Sequence, residues 1–79
     1  MIGEKSSLEL ISEVQRTLER LGYPVKVSWA EPEEGADLGL QIVVFSKKSW
    51  NLEREITHHI LRALDRYGAI PSIYWKWSS

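Results

Sequence analysis

The spacing of apolar residues switches between two periods along this chain. Leu10, Ile11, Val14, Leu18 and Leu21 recur three or four residues apart, while Glu9, Glu13, Gln15, Arg16, Glu19 and Arg20 fill the intervening positions. That is one apolar stripe on a helix of 3.6 residues per turn. Ser6-Ser7-Leu8-Glu9 supplies a capping box at its start: a hydroxyl for the orphan N–H groups and a glutamate three residues on. Gly22 is placed to end the helix in a left-handed turn, and Pro24 blocks its continuation. The spacing predicts a helix over 7–21, preceded by a loose lead-in over 1–5.

The period then drops to two. Val25, Val27 and Trp29 alternate with Lys26, Ser28 and Ala30, the pattern of a half-buried strand. Glu31-Pro32-Glu33-Glu34-Gly35-Ala36-Asp37 is acidic, contains both helix- and strand-breaking residue types, and reads as a loop. Leu38, Leu40, Ile42 and Val44 define one face of a second strand, and Gly39, Gln41, Val43 and Phe45 the other. Ser46-Lys47-Lys48-Ser49 ends it. A second helix begins near Asn51 or Ser49, with Leu52, Ile56, Ile60, Ala63, Leu64 and Tyr67 as its apolar stripe and Gly68 at its close. Its acids (Glu53, Glu55) stand first and its bases (Arg62, Arg66) last, which suits the helix dipole. Pro71 starts a final strand in which Ile73, Trp75 and Trp77 alternate with Ser72, Tyr74 and Lys76.

These elements assemble in few ways. The first two strands suit an antiparallel hairpin. Strand, helix and strand then form a β-α-β unit, which crosses over right-handed with its strands parallel. The expectation is a single α+β domain: a two-layer αββαβ sandwich with a three-stranded mixed sheet and both helices on one face. The expected core is Leu10, Ile11, Val14, Leu18, Leu21, Val25, Val27, Trp29, Leu38, Leu40, Ile42, Val44, Ile56, Ile60, Leu64, Ile73 and Trp75. Periodicity leaves the order of strands in the sheet open.

Composition narrows the function. A chain of 79 residues buries a modest share of its surface, so burial against a partner is a live option. There is no cysteine, which excludes disulfides and thiolate zinc sites. Ten basic against eleven acidic side chains give a formal charge of −1, whereas nucleic-acid binders usually carry a basic excess. No apolar run approaches a membrane span, and the start lacks the apolar segment of a signal peptide. A cytoplasmic protein without a membrane partner is expected.

Two helices cover one sheet face and leave the other. Lys26, Ser28, Ala30, Gln41, Val43, Phe45, Ser72, Tyr74 and Lys76 fall on that second face, which is less polar than full solvation would favour. Val43, Phe45 and Tyr74 suggest an apolar patch rimmed by Lys26, Gln41 and Lys76, and contiguous exposed patches tend to mark interaction sites. Three readings compete: self-association or protein docking through this face or a strand edge, base stacking of single-stranded nucleic acid on the sheet, or a face that binds nothing.

Reactive chemistry has little support. His58 and His59 are adjacent on a helix, about 100° apart, and the chain has no third histidine for a zinc site. Glu55 shares a helix face with one of them, but the di-iron pattern needs a second Glu-x-x-His. His58 is expected on the solvated side and His59 beside the core stripe. Glu31, Glu33, Glu34 and Asp37 could gather a hard cation, yet their spacing is not that of a calcium loop and a solvated turn explains them. Lys47 and Lys48 with Trp50 precede a helix N-terminus that could take an anion; Trp50 equally suits a hydrophobic staple on the helix's first turns. No nucleophile motif is present. No metal, cofactor or catalytic residue is expected.

The stretch from Val25 to Val44, followed by the second helix and the last strand, resembles a minimal nucleotidyltransferase core, with Asp37-Leu38-Gly39-Leu40-Gln41-Ile42-Val43-Val44 similar to its Asp-x-Asp strand and Glu53 to Ile73 similar to the helix and strand after it. The likeness covers about two-thirds of the chain. Gly39 stands at the second Asp position, Ser28-Trp29 stands where Gly-Ser would be, and the last strand has no Asp. Two-metal phosphoryl chemistry needs at least two carboxylates, so the resemblance implies a fold and, at most, nucleotide binding around Asp37. The sequence as a whole favours a non-enzymatic domain that self-associates or docks on a protein partner, with a degenerate nucleotide-binding domain and a single-stranded nucleic-acid binder as the alternatives.

Overall fold

The computed structural model describes residues 6–78, so the lead-in expected over 1–5 lies outside the described residues. Its elements run α1 (Ser7–Arg20), β1 (Val25–Ala30), β2 (Leu38–Val44), α2 (Trp50–Asp65) and β3 (Pro71–Trp77). The protein is an α+β sandwich, with two helices packed on a three-stranded mixed sheet of order β1-β2-β3. β1 and β2 pair antiparallel, with Val25 opposite Val44 and Val27 opposite Ile42. β2 and β3 pair parallel, with Leu40 beside Ile73 and Ile42 beside Trp75.

Local chemistry sets the helix boundaries. Ser6 accepts from the Glu9 N–H at 3.2 Å, and the Glu9 carboxylate accepts from the Ser6 N–H at 3.0 Å, a closed capping box. α1 ends in a Schellman arrangement: Gly22 takes φ +89°, its N–H donates to the Glu19 carbonyl, and the Tyr23 N–H donates to the Leu18 carbonyl. α2 is capped by Ser49, whose hydroxyl accepts from the Leu52 N–H at 3.2 Å. Gly68, at φ +64°, lies just past its last turn.

One cluster fills the space between the layers. It holds Leu10, Ile11, Val14 and Leu18 of α1, Val25 and Val27 of β1, all four helix-facing residues of β2, and Ile56, Ile60 and Leu64 of α2. Ile73 and Trp75 pack against it while half-buried. Central β2 is buried most completely: Leu40, Ile42 and Val44 are wholly inaccessible.

Two expected core residues lie outside. Leu21 is 51% exposed and Trp29 54% exposed. Leu21 is the C-cap of α1, one residue beyond the helical stripe. The Schellman turn hands the packing role to Tyr23, two residues on, which sits against the core. Trp29 has the right face of β1, but β1 is an edge strand and its row holds a neighbour, Leu40, on one side only. Facing the core therefore leaves half of a large indole in solvent.

Candidate interaction surface

The register arranges the face away from the helices in cross-strand rows. Lys26, Val43 and Lys76 form one row, Ser28, Gln41 and Tyr74 the next, and Ala30, Gly39 and Ser72 the third. Phe45 lies past the end of β2, beyond the Lys26 row, and is exposed. Five of the six residues expected to form an interaction face, Lys26, Gln41, Val43, Tyr74 and Lys76, thus share one side of the sheet, and Phe45 follows β2 in a bend. Val43, Gln41 and Tyr74 are half-buried, and the two lysines are exposed.

This face is not open along its whole length. The acidic segment over 31–37 folds back across it. The Tyr74 hydroxyl donates to the Glu31 carbonyl at 3.0 Å, and the Glu33 N–H donates to Ser72 Oγ at 2.9 Å. To reach β3 from β1 the loop must pass over β2, and it does so at Gly39. A Cβ built there would overlap the Ala30 carbonyl oxygen and lie 2.7 Å from the Ala30 carbonyl carbon and 2.9 Å from that of Glu31. Glycine inside a strand often marks such a close approach of backbone. The loop is tied down further by Asp37, whose carboxylate accepts from the Ile70 N–H at 2.7 Å while its own N–H donates to the Ile70 carbonyl. The face is therefore bipolar. Glu31, Glu33, Glu34 and Asp37 gather near the N-terminal end of β3, and Lys26 and Lys76 occupy the opposite end.

The two sheet edges differ. Along a strand, backbone groups alternate in direction. On β1 the even-numbered residues point towards β2, as the bond from the Phe45 N–H to the Pro24 carbonyl shows. The odd-numbered ones point outwards, and Gln15 of α1 meets them: its Nε2 donates to the Val25 carbonyl at 3.1 Å, and its Oε1 accepts from the Val27 N–H at 2.6 Å. One amide thus meets two of the outward groups of β1, and the Val25 N–H donates to the Tyr23 carbonyl; among the described residues the Val27 carbonyl and the backbone groups of Trp29 stay unpaired. On β3 the Ser78 N–H bonds the Val44 carbonyl, so even residues point towards β2 and the groups of Ile73, Trp75 and Trp77 point outwards. Among the described residues, no hydrogen bond reaches those outward groups.

Apolar surface flanks the open edge. Trp75 and Trp77 stack on the helix-facing side of β3, with ring centroids 5.7 Å apart and planes 13° apart, and both stay half-buried. Ile70, just before β3, is 62% exposed, and Leu61 of α2 is 48% exposed. Leu61, Asp65, Gly68, Ala69, Ile70 and Pro71 line a depression of about 330 Å³ beside the start of the strand.

The chemical candidates disperse. His58 is exposed and lines a groove on the outer side of α2 with Leu61, Arg62, Asp65 and Arg66. His59 is half-buried with its ring 5.7 Å from that of Tyr23. Glu55 accepts from the Tyr23 hydroxyl at 3.0 Å. Burial first, and then Glu55, hold the Tyr23 phenol above its ordinary value of 10.0. Among the described residues, no three His, Cys, Asp or Glu side chains gather to hold a metal ion, and no helix is long and apolar enough to cross a membrane. Trp50 is no staple: it is exposed at the start of α2, with the Lys48 ammonium 4.4 Å above its ring.

Compared with known proteins, the chain matches no family model, no curated protein and no solved structure. Its role must be argued from its own surface. Strand periodicity points to an edge without choosing between the two, so the open β3 edge emerges only with the strand order. Gln15 carries no signal of its own in the sequence, being an ordinary polar residue on a helix flank.

Proposed function

We propose that this is a non-enzymatic interaction domain that binds protein by adding a strand to the outer edge of β3. The observation that carries this is the asymmetry of the edges. β1 is closed over Val25 and the Val27 N–H by Gln15 and Tyr23, whereas β3 presents the unpaired groups of Ile73, Trp75 and Trp77 along its length beside half-buried indoles. An unpaired edge offers main-chain hydrogen bonds for affinity, and alternate side-chain pockets give specificity. Tyr74 and Lys76 on the far side of the strand, with the neighbouring Lys26, Gln41, Val43 and Phe45, would meet side chains of the added strand and of the partner segment adjoining it.

The nucleotide-binding alternative draws less support. Asp37 spends its carboxylate on the Ile70 N–H, and the loop crossing at Gly39 leaves no room there for a second carboxylate.

The reading is tested by amide hydrogen exchange of the chain with a panel of extended seven-residue peptides. Binders should protect the amides of Ile73, Trp75 and Trp77 and change the fluorescence of Trp75 and Trp77. Binders that leave those amides exchanging freely, and perturb Val43 and Phe45 instead, would move the site to the sheet face and refute strand addition.

A further inference from the structure

Building on that reading, we infer that the strand which occupies the β3 edge is β3 of a second copy, antiparallel about a two-fold axis at Tyr74, giving a continuous six-stranded sheet. Three observations converge on this occupant. The first is charge. The acids of the 31–37 loop lie at the Ser72 end of β3, held there by the bonds from Tyr74 to Glu31 and from Glu33 to Ser72, and Lys76 lies at the other end. Antiparallel pairing about Tyr74 puts Lys76 of each copy opposite Ser72 of the other, beside the acidic loop. A parallel arrangement would set like charges side by side.

The second is register. β3 spans Pro71–Trp77, with Tyr74 at its midpoint, so this is the two-fold register that pairs the strand along its full length. Ile73 then faces the partner's Trp75 as a hydrogen-bonded pair, since both point outwards. The Trp77 N–H meets the carbonyl of the partner's Pro71. Proline, which has no N–H to offer, falls at the rim, where the facing Trp77 carbonyl stays in water.

The third is shape. Pro71 and Trp77 share the helix-facing side of the strand, so the partner's Trp77 arrives over the depression lined by Leu61, Ala69, Ile70 and Pro71. Exposed Ile70 and Leu61 are then covered by an indole, an isologous contact made twice.

The absence of native cysteine makes the test direct. Tyr74 faces its own copy as a non-hydrogen-bonded pair, with Cα atoms about 4.5 Å apart, within reach of a disulfide. Under mild oxidation Tyr74→Cys should cross-link to itself. Ser72→Cys and Lys76→Cys should each fail alone and cross-link when mixed. Sedimentation of the unmodified chain should give a dimer, and Lys76→Glu should weaken it several-fold at low salt, with Glu33→Lys restoring part of the loss. A monomer at about 100 μM, at the weak end of specific association, would overturn the inference. So would a dimer in which Tyr74→Cys does not cross-link while the Ser72→Cys and Lys76→Cys mixture also fails. In either case the exchange experiment with peptides still decides strand addition separately, because it reads the edge in the single chain.

Discussion

Gly39 to alanine is the sharpest perturbation the fold offers, because a single methyl group meets backbone and not a movable side chain. The added Cβ overlaps the carbonyl of Ala30, so either β2 shifts or the loop over 31–37 lifts. Shifting β2 disturbs the most buried strand of the sheet, so lifting the loop is the cheaper response. It breaks the bonds from Tyr74 to Glu31 and from Glu33 to Ser72, at about 0.5–1.5 kcal/mol each. Replacing glycine by alanine also restricts the unfolded chain, which returns about 0.4–1 kcal/mol. The net expectation is a loss of about 1–2 kcal/mol, near the range for overpacked sites. In a domain of this size that lowers Tm by about 4–16 °C. Urea denaturation of wild type, Gly39→Ala, Tyr74→Phe and the double variant checks both size and cause. If the loop lifts, Tyr74→Phe costs less on the Gly39→Ala background than on the wild type. A Gly39→Ala variant as stable as wild type would refute the loop crossing, and strictly additive effects would show that β2 shifts while the loop stays in place.

Other substitutions probe the remaining contacts. Gln15→Leu removes both bonds to the β1 edge and should cost about 1–3 kcal/mol; dynamic light scattering should also show concentration-dependent growth as a second edge opens. Ile42→Ala, in the wholly buried centre of β2, should cost about 2–5 kcal/mol by denaturation, and Trp29→Ala distinctly less, since its indole is half in water already. The Tyr23 phenol holds its proton more tightly in the folded chain than in the unfolded one. Its contribution is therefore complete below pH 10.0 and fades as pH rises past that value. Denaturation curves from about pH 8 to about pH 11 should show a shallower alkaline decline for Tyr23→Phe than for wild type.

Element types and most boundaries could be read from sequence because their causes are local. The capping box joins residues three apart, the Schellman turn is signalled by Gly22, and strand alternation needs only neighbours. What failed was the step from facing the core to being buried in it. Leu21 continues a helical stripe that the chain has already left, and Trp29 faces inward from a strand with nothing beyond it. Both depend on where an element ends or which strand lies outermost, and period alone carries neither fact. The candidate face was legible as a set of residues, since alternation puts Lys26, Gln41, Val43, Tyr74 and Lys76 on one side whatever the strand order. The loop across it was not, although Gly39 inside an otherwise apolar strand was its trace.

The strand order makes one edge more exposed than the other. With β2 central, the sheet must end at β1 and at β3. The chain enters β1 directly from α1 through a short turn, so α1 packs close along β1 and one side chain, Gln15, reaches around to the outward groups of Val25 and Val27. β3 is reached by a crossover helix. α2 has to lie above the sheet to connect parallel strands on the same face, and nothing from it turns down to the β3 edge among the described residues. Natural sheets that leave an edge free commonly guard it with charges, prolines or bulges. Here Pro71 guards one end of the strand, and Lys76 points to the sheet face opposite the helices. The middle of β3 carries isoleucine, tyrosine and tryptophan, residue types with high strand propensity. A strand so composed and so placed is energetically incomplete as it stands, and pairing it satisfies outward N–H and C=O groups while covering indole surface in the same step.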